Sequence, residues 1–229
     1  MATYVLLHGA YQGGWIWQHV TPHLREAGHT VFAPTLDGCA ERRHALRPGI
    51  DTESQAAEIS EMLFFEDLRD IVLVGTSCGG MVAARVAETS RNRIGRIVLA
   101  DALALFNGES VADHVKRPTA VTTDVATGPS REDAANRMFI SLTEPIKSWA
   151  LERYTPHPVA AMAAPVKLDS FWDETWNASV IWCKQSVNPP VAHQRRAAEK
   201  LNARWYELDT GHYPMLTRSA DLARLMMET

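Results

Sequence analysis

The sequence predicts an α/β protein: a mostly parallel sheet with flanking helices and a helical cap inserted into it. Three observations carry this prediction. Short apolar runs alternate with helical runs as far as residue 100 and again from residue 178, the pattern of parallel strands joined by crossover helices. The run Ile71-Val72-Leu73-Val74 is continuously apolar, as a strand covered on both faces is. It leads into Gly75-Thr76-Ser77-Cys78-Gly79 and then a small, alanine-rich helix. Gly-x-Ser-x-Gly between a buried strand and a helix is a nucleophile elbow, a strained turn that lifts the serine hydroxyl out of the sheet. Glycines flank the serine because side chains there would collide with the neighbouring strand or helix.

The elements follow in order. Residues 4–7 form the first strand, and His8-Gly9-Ala10-Tyr11-Gln12-Gly13-Gly14-Trp15 is a glycine-rich loop after it. Its spacing does not match G-x-G-x-x-G, so no dinucleotide site is expected. Residues 17–27 read as a helix stopped by Gly28, 30–33 as a strand, 39–51 as a polar loop and 52–64 as a helix feeding the elbow strand. Residues 94–100 are the next strand. From 103 to 177 prolines and aromatic residues punctuate short helical runs, and no strand is convincing. This stretch is expected to be a cap inserted in a single domain spanning 1–229. Strands at 178–183 and 203–208, with helices at 191–201 and 219–227, complete the sheet.

Composition narrows the function. A chain of 229 residues, 46% hydrophobic and 22% charged, fits one α/β domain with a large core. The net charge of -4 comes from scattered charges, so no nucleic-acid surface or basic membrane patch is expected. No apolar run reaches membrane-spanning length. The chain enters a strand at once, so no signal peptide is expected. Cys39, Cys78 and Cys183 lie far apart without metal-ligand spacing. They read as reduced thiols of a cytoplasmic protein. His19 and His23 are four apart, but no third ligand accompanies them, so a solvated helix face is expected rather than a metal. No cofactor is implied, and nothing fixes an oligomeric state.

The chemistry assembles around Ser77. A serine hydroxyl needs a base to take its proton. His212 lies in a short loop after the last strand, and such loops gather at the strand carboxyl ends, where the elbow opens. The loop after strand 178–183, the commoner source of an acid, reads Lys184-Gln185-Ser186 and has none. Asp101 ends the strand beside the elbow strand and is the candidate to orient His212; Asp209 is the alternative. The backbone N–H of Cys78, at a helix start, and that of Ala10 are the candidate oxyanion donors. Tyr11, Trp149, Trp172 and Tyr213 are candidate substrate contacts, with Phe171 and Trp176 as further aromatic residues of the cap.

His8-Gly9-Ala10 with Gly13-Gly14-Trp15-Ile16-Trp17, the elbow Gly75–Gly80, and Gly211-His212-Tyr213-Pro214-Met215 together resemble the α/β-hydrolase superfamily, most nearly its plant methylesterase and hydroxynitrile lyase branch. The resemblance implies Ser77 as nucleophile, His212 as base, and Ala10 and Cys78 as oxyanion donors. The lyases carry threonine and lysine where this chain has Gly9 and Tyr213, and the branch's usual acid aligns with Ser186. The reading that results is a serine hydrolase acting on a small, largely apolar ester, thioester, carbamate or activated amide. A hydroxynitrile-lyase-like enzyme and a non-catalytic ligand-binding protein are the alternatives.

Overall fold

A computed structural model describes residues 1–115 and 120–228. Strand β1 (Thr3–Leu7) leads through a 3-10 turn at Gly14–Trp17 to helix α1 (Thr21–Glu26). The helix expected over 17–27 is therefore shorter: it begins where Pro22 occupies its first turn, a position that needs no backbone N–H. Then come β2 (Thr30–Phe32), α2 (Thr52–Phe65), β3 (Ile71–Ser77), α3 (Gly79–Thr89) and β4 (Ile94–Ala102). The start of α2 is fixed by a capping box, in which Asp51 accepts from the Ser54 N–H and Ser54 from the Asp51 N–H.

The insertion after β4 holds α4 (Val111–His114), β5 (Ala120–Thr122), β6 (Ala126–Pro129), α5 (Arg131–Asp133), a π-helical turn at Ala134–Met138, α6 (Ile146–Arg153), β7 (His157–Pro158) and α7 (Val159–Ala163). Short helices occur there as expected. The expectation of no strand does not hold, because β5, β6 and β7 pair into an antiparallel sheet. These strands are too short for a two-residue period to register. A turn fixes them instead, the Thr123 hydroxyl accepting from the Ala126 N–H at 3.1 Å. The chain ends through β8 (Ala178–Cys183), α8 (Val191–Lys200), β9 (Arg204–Leu208), α9 (Pro214–Thr217) and α10 (Ser219–Glu228).

The main sheet has the order β2-β1-β3-β4-β8-β9, and every pair is parallel. Alternate residues feed two cores. Val5, Leu7, Leu73 and Leu99 face α2, α3 and α8, while Tyr4, Leu6, Val74 and Val98 face α1 and α10. The chain winds outward from β1 to β2, then reverses to β3. That reversal opens a crevice at the carboxyl ends of β1 and β3, the usual ligand position in an open parallel sheet.

Candidate active site

Ser77 ends β3 with a positive φ of 49°, in the left-handed region that a non-glycine residue enters only under constraint. Its surroundings supply the constraint. A side chain at Gly79 would meet the Leu7 and His8 carbonyl oxygens at 2.5 Å, so α3 can run this close to β1 only without one. A Cβ at Gly9 would lie 2.6 Å from the Ser77 Cβ. The β1 loop and the elbow therefore touch backbone to side chain. The Ser77 carbonyl in turn accepts from the Leu103 N–H at 2.8 Å, beyond a register shift between β3 and β4.

The β1 loop is pinned from two sides. His8 is fully buried; its Nε2 accepts from the Leu36 N–H at 3.0 Å, so Nδ1 carries the proton and donates to the Gly9 carbonyl at 2.7 Å. Burial pushes His8 down to about 4, which keeps the ring neutral in that role. Tyr11, at φ 68°, packs its ring against Tyr154 and His157 of the insertion, and its carbonyl accepts from the Thr155 N–H. Between these anchors lies Ala10. Among the described residues no turn or loop hydrogen bond takes up the N–H of Ala10 or of Cys78, and both residues line the same cavity as Ser77.

His212 comes from the loop after β9. Its Nδ1 lies 2.5 Å from the Asp101 Oδ2. Asp101 is 0% exposed and sits at φ 47° at the end of β4. Its other oxygen accepts from the Gln194 Nε2 at 2.7 Å and from the Cys183 N–H at 3.3 Å. Burial, and then the adjacent Asp101 charge, push the Cys183 thiol well up. Asp209, the alternative acid, is surface-exposed and accepts from the Gln185 amide instead. Ser186 donates its hydroxyl to the Asn188 carbonyl. Among the described residues no hydrogen bond joins the Ser77 hydroxyl to the His212 ring. Such contacts often tighten only around substrate.

Ser77 and His212 open into a cavity of about 230 Å³, small beside the roughly 300–1,000 Å³ of drug-sized sites. Of the candidate substrate contacts, Tyr11 and Tyr213 line it. Trp149 and Trp172 do not, and the expectation for them is corrected. Trp149 packs edge-on to Trp15 with the Arg153 guanidinium over its ring. Trp172 is buried between Phe106 and Phe171 and donates its indole N–H to the Leu105 carbonyl. Phe171 and Trp176 lie in the same buried cluster. Phe171, Trp172 and Trp176 are withdrawn from water because such rings have much apolar area to bury, while Trp149 stays half-buried. The cavity wall is made instead by Leu103, Val115, Met138, Ile140, Val187 and Pro189. Among the described lining residues Arg137 alone carries a guanidinium, and none carries a carboxylate.

Sequence reasoning passed over Gln194 and the Met138–Ser141 wall. Gln194 had one available signal: a buried acid at the end of β4 needs a donor besides histidine. The Cys78 thiol faces the Met162 sulfur at 3.9 Å, a packing contact. Among the described residues no group of three or more His, Cys, Asp or Glu is arranged to hold a metal ion. None of the described helices is long and apolar enough to cross a membrane.

With this geometry in view, the sequence matches the Alpha/beta hydrolase family over residues 4–225. It is 37% identical to the Carbendazim hydrolyzing esterase of Nocardioides sp. (strain SG-4G) over 111 residues, a match covering 48% of this chain; the chain spans only 46% of that relative's length. It is 26% identical to Methylesterase 3 of Arabidopsis thaliana over 254 aligned positions, covering 98% of this chain and 94% of that one. Among solved structures, an extracellular alpha/beta-hydrolase from a Paenibacillus species, described as homologous to tobacco Salicylic Acid Binding Protein 2, superposes with a TM-score of 0.85 at 21% identity. That likeness covers 100% of this chain and 98% of the other, and it concerns the fold alone.

Proposed function

The chain belongs to the alpha/beta hydrolase family, and on that premise we propose that it is a serine esterase cleaving a small, largely apolar carboxylic ester, with thioesters, carbamates and activated amides open to the same chemistry. The observation that carries this reading is the Asp101–His212 hydrogen bond placed at the cavity that Ser77 also lines. With Nδ1 committed to Asp101, His212 presents Nε2 to the cavity as the base. Ser77 Oγ attacks the ester carbonyl carbon as its proton passes to Nε2. The Ala10 and Cys78 N–H groups receive the developing oxyanion. Collapse breaks the bond to the leaving oxygen, which takes the proton from Nε2 and departs as the alcohol. Water then attacks the acyl-enzyme, gives its proton to His212, and releases the acid as that proton returns to Ser77.

Two features weigh against cyanohydrin cleavage. A threonine at position 9 would drive its Cβ into Ser77. Tyr213 is buried against Phe139, where burial pushes its phenol up, so it supplies no charge for a cyanide leaving group. The cavity volume supports a small substrate, and the insertion acts as its cap. Three buried free thiols support a reducing, cytoplasmic setting.

The test is hydrolysis of a panel of short-chain p-nitrophenyl esters by the purified protein, with fluorophosphonate labelling. Turnover and labelling should both vanish in Ser77→Ala. Equal turnover in that variant, or none in the wild type, contradicts the reading.

A further inference from the structure

We propose that Gln194 is a positioning residue that holds the Asp101 carboxylate in register with His212, an inference that rests on the triad reading above. Gln194 is 1% exposed on α8. Its Nε2 donates to the Asp101 Oδ1 at 2.7 Å and to the Pro189 carbonyl at 3.2 Å. Its Oε1 is buried with no hydrogen-bond partner. Turning the amide over would set that oxygen against the carboxylate, acceptor against acceptor, and would take the donor from both partners. The amide orientation therefore follows from chemistry.

The half-used amide is the informative feature. A buried glutamine with an orphaned oxygen is a poor way to fill a core, and an apolar residue of the same size would fill it without that cost. What only the amide supplies is the N–H to Asp101. Among the described residues the single ion-pair partner of Asp101 is His212. The remaining support comes from two neutral donors. The main-chain one, from Cys183, is longer at 3.3 Å, so the Gln194 bond is the better made. An acid at the end of β4, rather than after β8 where Ser186 stands, relies on α8 to stop its carboxylate from rotating. Hydrogen bonds to a carboxylate also favour its anion, so Gln194 moderates how strongly Asp101 draws the Nδ1 proton.

Two substitutions test this by pH profile. In Gln194→Met the carboxylate loses a donor and becomes more basic, which stabilises the His212 imidazolium. The acid limb of kcat/KM should move to higher pH, and kcat should fall by about 10- to 100-fold with KM little changed, as losses of outer-shell partners do at other sites. In Gln194→Glu the protonated side chain can still donate to Asp101. Activity should then persist at the acid edge of the wild-type range, where the new carboxyl is still protonated, and be lost as it ionises beside Asp101, cutting the profile from its alkaline side. Proton NMR of the His212 Nδ1–H reads the same change without turnover and should shift in both variants. Wild-type pH profiles in both variants, with the His212 resonance unmoved, overturn the inference even where hydrolysis still depends on Ser77. Loss of Ser77 dependence overturns the triad reading instead. Should Gln194→Met not fold, Gln194→Glu and its resonance decide alone.

Discussion

The carboxyl ends of the sheet and the insertion over them are built by different means. At the sheet ends, backbone geometry fixes each group. Ser77, Asp101 and Tyr11 all sit at positive φ, and Gly9 and Gly79 leave room for no side chain. In the insertion, side-chain burial decides position. Its indoles turn into packed clusters, and Met138 and Ile140 are left at the cavity. Changes at the sheet ends should therefore strike catalysis, and changes in the insertion should separate stability from substrate affinity.

The sharpest way to break that contrast is to exchange the two candidate acids. Asp101→Asn should lower kcat by about 10⁴-fold, the size of effect seen where a triad aspartate no longer sets the histidine tautomer. Asp209→Asn, on the surface, should stay within about twofold. A large effect at 209 and a small one at 101 in steady-state kinetics would reverse the assignment. Next is Gly9→Thr, which forces the β1 loop from Ser77 and the Ala10 N–H with it. A displacement near 1 Å predicts about 10²-fold loss of kcat, larger than any loss in KM.

Within the insertion, Trp172→Ala should cost about 3–5 kcal/mol of stability, visible as a fall in Tm with KM for a small ester unchanged in the protein that remains folded. Ile140, 69% exposed at the cavity wall, should behave oppositely: Ile140→Ala shifts KM a few-fold and leaves Tm in place. A further effect on stability concerns pH. Burial, first among the causes, holds His8 and His193 down to about 4, against about 6.5 unfolded. Folding therefore excludes protons that the unfolded chain binds. The stability these two rings support is complete above about pH 6.5 and falls as pH drops toward 4. Denaturant midpoints across that window should decline, and less steeply in His193→Gln.

The same contrast explains what the sequence could say. Ile71-Val72-Leu73-Val74, the elbow, and Gly211-His212 announce themselves because short-range rules govern them: a continuous apolar run, a turn that needs glycine, a loop after a strand. The pairing of Asp101 with His212 was legible because strand order alone brings the end of β4 beside the elbow. The insertion was not. Strands of two to four residues leave no period to read. Trp149 and Trp172 looked like pocket aromatics because a sequence does not record which way a ring turns. Gln194 was silent for a related reason: its partner lies 93 positions away.

The most direct measurement of the central claim is intact-protein and peptide mass spectrometry after rapid quenching of an ester reaction. The account predicts a single acyl adduct on Ser77 that forms faster than steady-state turnover and forms slowly in Asp101→Asn. An adduct on another residue, or hydrolysis at full rate by Ser77→Ala with no adduct at all, would contradict it.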